Sequence, residues 1–476
     1  MRSLSLLEMQ ALDHPVFKQL SQAAEECGVK AFVVGGFVRD LMLQTPSKDI
    51  DVVVIGSGVP FAQHYFELIT SENKHISVFK NFGTAQIKTE DWVIEIIGAR
   101  KESYRRDSRK PIVEDGSLED DQQRRDFSIN SMYLSLNADN FGELLDPFNG
   151  IQDLQDGLIH TPNDPDITFS DDPLRMLRAI RFAARLGFKI EPTTWDGICR
   201  NAERIDIVSQ ERISDEFNAM ILGKTPSVAF DLLLKSKLLE RFFPEFVALL
   251  GVETIQGKSH KDNFYHTTQV LDNVCNLSDS LWLRWAAILH DIAKPVTKRF
   301  EPNHGWTFHG HEDRGSRMVK KIFRRLRLPL DEKMRYVEKL VAMHLRPIVL
   351  SKEHVTDSAV RRLIVEAGED IDDLMILCRC DITSKNKHKV ARHIENLKVV
   401  EAKIKEVREK DELRNWQPIL TGNHIIQRFK IDNPKYIGEI KTEVREAILD
   451  GRVDNTLAAS LEYADQIAAG LGIEKL

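Results

Sequence analysis

The sequence holds no stretch of about 18 apolar residues, so it offers no candidate for a membrane-spanning helix. Its start, MRSLSLLEMQALDHP, lacks the long apolar run and small-residue cleavage site of a secretory signal, and a cytoplasmic protein is expected. Cysteine is scarce. The five present are Cys27, Cys199, Cys275, Cys378 and Cys380. None forms a CxxC pair, which argues against a disulfide framework and a zinc site of that kind. There is no internal repeat and no low-complexity tract. An excess of positive charge is also missing, with 66 Lys and Arg against 73 Asp and Glu and a net charge of -7. A nucleic-acid ligand would therefore need a local basic patch. KKIFRRLR, Lys320 to Arg327, is such a patch, although its plainer reading is a solvated helix face.

The 476 residues suffice for about three domains. In the N-terminal part, AFVV (31–34), DVVVI (51–55), TAQIK (84–88) and WVIEII (92–97) read as strands. GFVRDLMLQ (36–44) and the stretch from Phe61 to Thr70 read as helices. From Ile151 the strand signal nearly vanishes, and the rest reads as helical, as in PLRMLRAIRFAARLG (173–187). KESYRRDSRKPIVEDGSLEDDQQ (101–123) has little periodicity and is expected to be a long mobile loop.

Two aspartates stand at the mouth of a strand in SKDIDVVVIG. Residues i and i+2 of a strand share a face, so Asp49 and Asp51 project together while Ile50 and Val52 point away. Paired carboxylates suit a hard divalent cation. Alone, the pair reads more simply as polar residues at a strand entry. Upstream, VVGGFVRD reads as a strand, Gly35-Gly36, then a helix. Glycines let a backbone approach a phosphate, a helix start offers free N–H groups, and Arg39 adds a charge one turn in. A tight turn would need the same glycines. Glu95, in WVIEIIGAR, sits among apolar residues, where a carboxylate is seldom found unless paired or metal-bound. Three acids on neighbouring strands make a two-metal site plausible, one ion for a hydroxyl nucleophile and one for a triphosphate.

GGFVRD and then DIDVVV resemble the nucleotidyltransferase superfamily that includes DNA polymerase β. RRDFSINSM (124–132), LLDPFNGIQDL (144–154), DDPLRMLRAIRF (171–182) and ERISDEF (211–217) come next in order. The series is similar to the class II tRNA nucleotidyltransferases, the CCA-adding enzymes, and to the bacterial poly(A) polymerases, and spans residues 25–240. The resemblance implies an α+β chain: a mixed-sheet nucleotidyltransferase head over 1–150, a helical neck and body over 151–255, an HD metal-binding domain over 256–400 and a tRNA-holding helical tail over 401–476. It implies that Asp49 and Asp51 hold Mg²⁺, with Glu95 as third carboxylate, and that Gly35, Gly36 and Arg39 bind the nucleotide. Arg124 and Arg125 would pair with phosphates, and Asp126 would accept from the ribose 2′-OH. Asp126 could also simply head a helix FSINSMYL.

Asp172 and Arg175, three apart, should share a helix face and offer an acceptor beside a donor fork. In the family such a pair is thought to select C or A without a nucleic-acid template; a surface ion pair is the plainer reading of DxxR. Arg178 would reach the triphosphate, and Glu211, Arg212 and Glu216 would brace the nucleotide helix. The family's usual Glu-Asp is Asp171-Asp172 here, which keeps the templating aspartate.

Bacterial poly(A) polymerases typically carry a GRRF-like stretch after the DxD strand and a basic tail. Here HISVFKNFGTAQI has no paired arginines, and the end, ADQIAAGLGIEKL, is not basic. Both favour CCA addition, with tRNA, CTP and ATP as partners and no membrane. Enzymes adding only A or only C share the motifs, although the 101–123 segment fits the flexible loop associated with the C-to-A switch and weighs against the CC-only alternative.

A second series runs through the helical half: His266, His290-Asp291, His311, His344 and Asp381. Histidine and carboxylate clusters bind transition metals, whereas a lone buried histidine is more often a core residue. The order resembles the HD phosphohydrolases and implies one or two metals (Ni, Mn, Fe, Co or Zn) with phosphodiesterase or phosphatase activity. The rival reading of the chain is a metal-dependent HD phosphohydrolase whose head only senses nucleotides. Intact Asp49, Asp51, Asp126, Asp172 and Arg175 argue against it. The stretch 420–451, which begins LTGNHIIQRF, resembles the tail that holds the tRNA elbow by shape and backbone contacts.

Overall fold

The computed structural model describes residues 6–79, 83–105, 108–351, 356–383, 386–415, 418–431, 433–449 and 452–476. Parts of four segments read above lie outside the described residues: 1–5 of the start, 80–82 of HISVFKNFGTAQI, 106–107 of the 101–123 segment, and 432 and 450–451 of the tail stretch.

The N-terminal strands are β1 (Ala31–Val34), β2 (Asp49–Val54), β3 (His75–Phe79), β4 (Thr84–Lys88), β5 (Val93–Gly98), β6 (Arg100–Arg105), β7 (Ser108–Asp115), β8 (Tyr133–Ser135) and β9 (Leu144–Leu145). Seven of them form one sheet in the order β3-β4-β5-β2-β1-β8-β9. β2 and β5 run parallel and every other neighbouring pair antiparallel, so the sheet is mixed. Alternation along β2 sorts its residues between two faces. Ile50, Val52 and Val54 join the main core with Phe17, Leu20, Phe61 and Tyr65 of the helices Pro15–Cys27 and Gly58–Leu68. Val53 joins Phe32, Val34 and Tyr133 in a smaller core on the other face, the face that carries Asp51.

Two readings of the sequence change here. The 101–123 segment is not a loop: β6 and β7 pair antiparallel, and the helix Leu118–Gln123 comes after them. Charged residues hide the strand signal, while Ser117 and Asp120 form a capping box that starts the helix. Nor does Asp126 head a helix through FSINSMYL. Only Ser128–Asn130 makes a 3-10 turn, and Tyr133 then pairs with Val34 in the sheet. Sheet pairing overrides the local helical spacing.

Beyond residue 151 helices dominate, interrupted by short strand pairs such as Leu158–Ile159 with Lys189–Ile190 and Arg299–Glu301 with Gly305–Thr307. The chain divides into two compact units. Met1–Val349 with Ala367–Glu395 contains the sheet and every candidate site residue. Leu350–Glu366 with Asn396–Leu476 has its own core of Leu420, Ile425, Phe429, Ile440, Val444, Ala464 and Ala468. Among the described residues no helix is long and apolar enough to cross a membrane.

Candidate active site and metal centre

Asp51 sits between Val34 of β1 and Glu95 of β5 in the sheet register. Gly35 comes directly after Val34 with φ 72°, and a Cβ there would come 3.1 Å from Asp51 Oδ2 and 3.6 Å from Arg125 Nη1. Glycine thus supplies both the left-handed turn and the room for the carboxylate. Burial raises the Asp51 pKa, Arg125 opposes, and Asp49 adds to the rise. Burial and then Asp51 raise Glu95 against the pull of Arg100. Neighbouring acids whose protons are held on by burial and by nearby negative charge are suited to a shared cation. Asp49 is exposed at the strand mouth. The head acids do not close into one of the three-ligand clusters found among the described residues.

The arginines are organised by a residue that motif reading passed over. Asp121 is fully buried and accepts from Arg124 Nε (2.8 Å), Arg125 Nη2 (2.9 Å) and the Tyr133 hydroxyl (2.9 Å). Burial alone would raise its pKa, but Arg125 and Arg124 hold it below the usual range. The signal was present, since Asp121 stands three and four residues before the two arginines.

Asp126 accepts from the Phe127 N–H (2.9 Å), Asn130 Nδ2 (3.1 Å) and Arg178 Nε (2.8 Å). Burial pushes its pKa up, yet Arg178 and Asn130 bring it down to about 2, so it stays an ionised acceptor. Arg39 is buried and already engaged. It donates to Asp40 Oδ1 (2.8 Å) and Asn130 Oδ1 (2.8 Å) and lies over the Phe182 ring. It braces the glycine turn against the helix Leu174–Leu186, and is less open to a phosphate than the sequence suggested.

Asp172 and Arg175 do not share a helix face. Asp172 has extended backbone, φ -138° and ψ 100°, because it precedes Pro173, which disfavours helical conformation at that position. Its Oδ1 accepts from the Leu174 N–H (3.1 Å) and its Oδ2 from Arg212 Nη2 (2.9 Å). Arg175 donates to the Arg124 carbonyl (2.6 Å) and the Thr168 carbonyl (3.4 Å). Both nevertheless line one cavity of about 230 Å³ with Arg124, Arg125, Asp126, Leu174, Arg178 and Arg212. Five arginines against two aspartates make it a place for a polyanion. Glu216 pairs with Arg181 (2.6 Å) and Arg178 (3.6 Å), and Glu211 with Arg327 (3.6 Å). Arg212 is thus part of the cavity wall, beyond the bracing role read from sequence.

The histidine series does converge. His266, His290 and Asp381 form one cluster, and Asp291, His311 and His344 another, with ligand atoms within 4.8 Å in each. Asp291 joins them: its Oδ2 lies 3.2 Å from His290 Nε2 and 3.5 Å from His266 Nε2, and its Oδ1 3.2 Å from His311 Nε2. Three imidazoles are aimed by their own turn, with Nδ1 on the carbonyls of Ala287 (2.7 Å), Phe308 (2.8 Å) and Val341 (2.7 Å). His266 Nδ1 meets Thr383 Oγ1 at 2.8 Å. Every Nε2 therefore faces inward, the arrangement metal-binding histidines use. His290 Nε2 is buried without a properly directed hydrogen bond among the described residues. Burial would lower its pKa, yet Asp291 and Asp381 beside it push it up to about 10. Burial and His290 push His344 down to about 4, keeping it neutral for coordination.

The pattern of the Poly A polymerase head domain matches residues 31–160, that of the probable RNA and SrmB binding site of polymerase A matches 187–250, and that of the HD domain matches 263–386. The head and HD matches imply dependence on divalent metal ions. A multifunctional CCA protein of Shewanella frigidimarina is 34% identical over 311 residues, 63% of this chain and 70% of that one. An A-adding tRNA nucleotidyltransferase of Aquifex aeolicus is 40% identical over 166 residues, 35% of this chain and 20% of that one. Among solved structures, a Thermotoga maritima CCA-adding enzyme complexed with tRNA has the same fold, with a TM-score of 0.59 at 21% identity over 98% of this chain and 99% of that one. The chain belongs to the family of the multifunctional CCA proteins, with a poly(A) polymerase head and an HD domain.

Proposed function

We propose that the protein adds CCA to the 3′ end of tRNA without a nucleic-acid template, using CTP twice and ATP once. The observation that carries this is the arginine-rich cavity beside the Asp51–Glu95 pair, with Arg125 bordering both. The tRNA 3′-hydroxyl attacks the α-phosphate, the bond to the β-phosphate breaks, and pyrophosphate leaves. Mg²⁺ held by Asp49 and Asp51, with Glu95 as the further carboxylate, would neutralise the triphosphate and acidify the hydroxyl. Gly35 and Gly36 keep the backbone clear of the nucleotide. Arg124, Arg125 and Arg178 hold the phosphates, and Asp126, kept ionised, accepts from the ribose hydroxyl. Asp172 and Arg175 select the base, and Arg212 fixes the aspartate that does so.

Incubating tRNA that lacks CCA with CTP alone, ATP alone and both, sized on a gel, tests the reading. Full extension only with both nucleotides is expected. The 40% identity to an A-adding enzyme favours a second reading, addition of A alone, which the ATP lane reveals on tRNA already ending in CC.

The HD centre is a transition-metal site built from His266, His290, Asp291, His311, His344 and Asp381, and it supports hydrolysis of phosphate esters. Bis-p-nitrophenyl phosphate with Ni²⁺ or Mn²⁺ is the assay. No turnover, together with metal content unchanged in His290→Ala, would reduce the domain to scaffold. The four-part division into head, neck and body, HD and tail, a tRNA-holding tail and a cytoplasmic location accompany this function.

A further inference from the structure

The helix His311–Arg325 reaches from one site towards the other and carries charges that neither uses. Its first residue, His311, belongs to the HD cluster. Its far end is tied to the helix Gln210–Ile221: the Ser214 hydroxyl donates to the Leu326 carbonyl, and Arg327 pairs with Glu211 at 3.6 Å. The next residue on that helix, Arg212, holds Asp172 in the nucleotide cavity.

The inner face of the helix is closed, with Gly315, Val319, Ile322 and Phe323 buried. The outer face exposes Arg314, Arg317, Lys320, Lys321 and Arg324, and Arg327 stands just past the last turn. Arg314, Arg317, Lys321 and Arg324 fall at i, i+3, i+7 and i+10, one row about 15 Å long. Arg317 pairs with Asp313; Arg314, Lys320, Lys321 and Arg324 make no ion pair among the described residues. Beside the first turn, Arg299 and His309 join Arg314 and Arg317 around a cavity of about 620 Å³, whose acids are Glu301 and Asp313. In a chain of net charge -7 this is a local concentration of positive charge.

We propose that this face is a track for RNA backbone phosphates, which guides the acceptor end of tRNA between the HD end of the helix and the nucleotide cavity. The proposal rests on the reading that tRNA is the substrate. Charge complementarity selects RNA over a lipid surface, because a helix lying on a membrane needs a free apolar face and this one is buried.

The test uses the full chain and fluorescently labelled tRNA lacking CCA, titrated across a salt series. Combined Arg314→Gln, Lys321→Gln and Arg324→Gln should flatten the slope of log affinity against log salt by about 2 and weaken binding at low salt at least about tenfold. The KM for tRNA should rise while kcat at saturating tRNA and the KM for CTP stay unchanged, which also verifies the fold. Lys18→Gln, an exposed lysine on another helix, should change the slope much less. A triple variant with the wild-type slope and affinity overturns the track. So does wild-type binding to phosphatidylserine vesicles that the triple variant loses while its tRNA slope stays wild-type. Failure of the wild type to add nucleotides would instead overturn the functional reading, leaving the binding result to stand alone.

Discussion

The HD centre and the nucleotide cavity solve opposite problems. In the HD centre three of four imidazoles are oriented by a carbonyl three residues earlier, so those three are aimed by their own turns, and His266 is aimed by Thr383. The acids Asp291 and Asp381 already lie among the ring nitrogens. The nucleotide site keeps Asp51 and Glu95 on the sheet, while its arginines, on turns and helices, pair with acids that lie off the sheet: Asp121 with Arg124 and Arg125, Asp126 with Arg178, Asp172 with Arg212. The first is a closed ligand set suited to keeping a metal. The second is an open set of compensated charges, completed by each incoming substrate.

The largest break in that comparison is Asp51→Asn. It should lower nucleotide incorporation on the order of a thousandfold, about 4 kcal/mol in the barrier. Metal content at the HD centre, read by elemental analysis, should not change. His290→Ala should do the reverse, losing HD metal while incorporation persists. Asp121→Ala leaves two arginines without their buried partner and should cost on the order of 3 to 5 kcal/mol in urea unfolding, together with incorporation. Arg212→Ala should leave the fold intact and relax the choice of C or A over U or G by about tenfold in competition assays, because Asp172 loses its anchor.

The smallest effect is in pH. Asp51 and Glu95 have raised pKa values, so they must lose protons to bind a cation. Incorporation at limiting Mg²⁺ should fall as pH drops, with a midpoint above the ordinary carboxylate range of about 4. Protonating these two groups favours the fold, so the loss should precede any unfolding. Asp126 works the other way. Its pKa of about 2 gives stability that is present above its unfolded value and lost as pH falls towards 2.

What the sequence made legible was local. Asp49 and Asp51 share a strand face, and Glu95 meets Asp51 because their strands are parallel neighbours. The six HD residues are legible through their order, which resembles that of the HD phosphohydrolases, and they converge. What stayed hidden depended on tertiary contact or on backbone exceptions. Asp172 stands at helical spacing from Arg175, but Pro173 after it favours extended backbone there. Arg39 looked free because Asn130, 91 residues away, is invisible to periodicity. The β6–β7 pairing was masked by charge. Asp121 was visible at helix spacing, but its reach to Tyr133 across the fold was not.

The most direct measurement is the sizing gel with wild-type protein and Asp51→Asn on tRNA lacking CCA. The account predicts extension by three nucleotides with CTP and ATP together, extension limited to C residues with CTP alone, and none with the variant. Full extension by the variant, or none by the wild type under any nucleotide mixture, would contradict it.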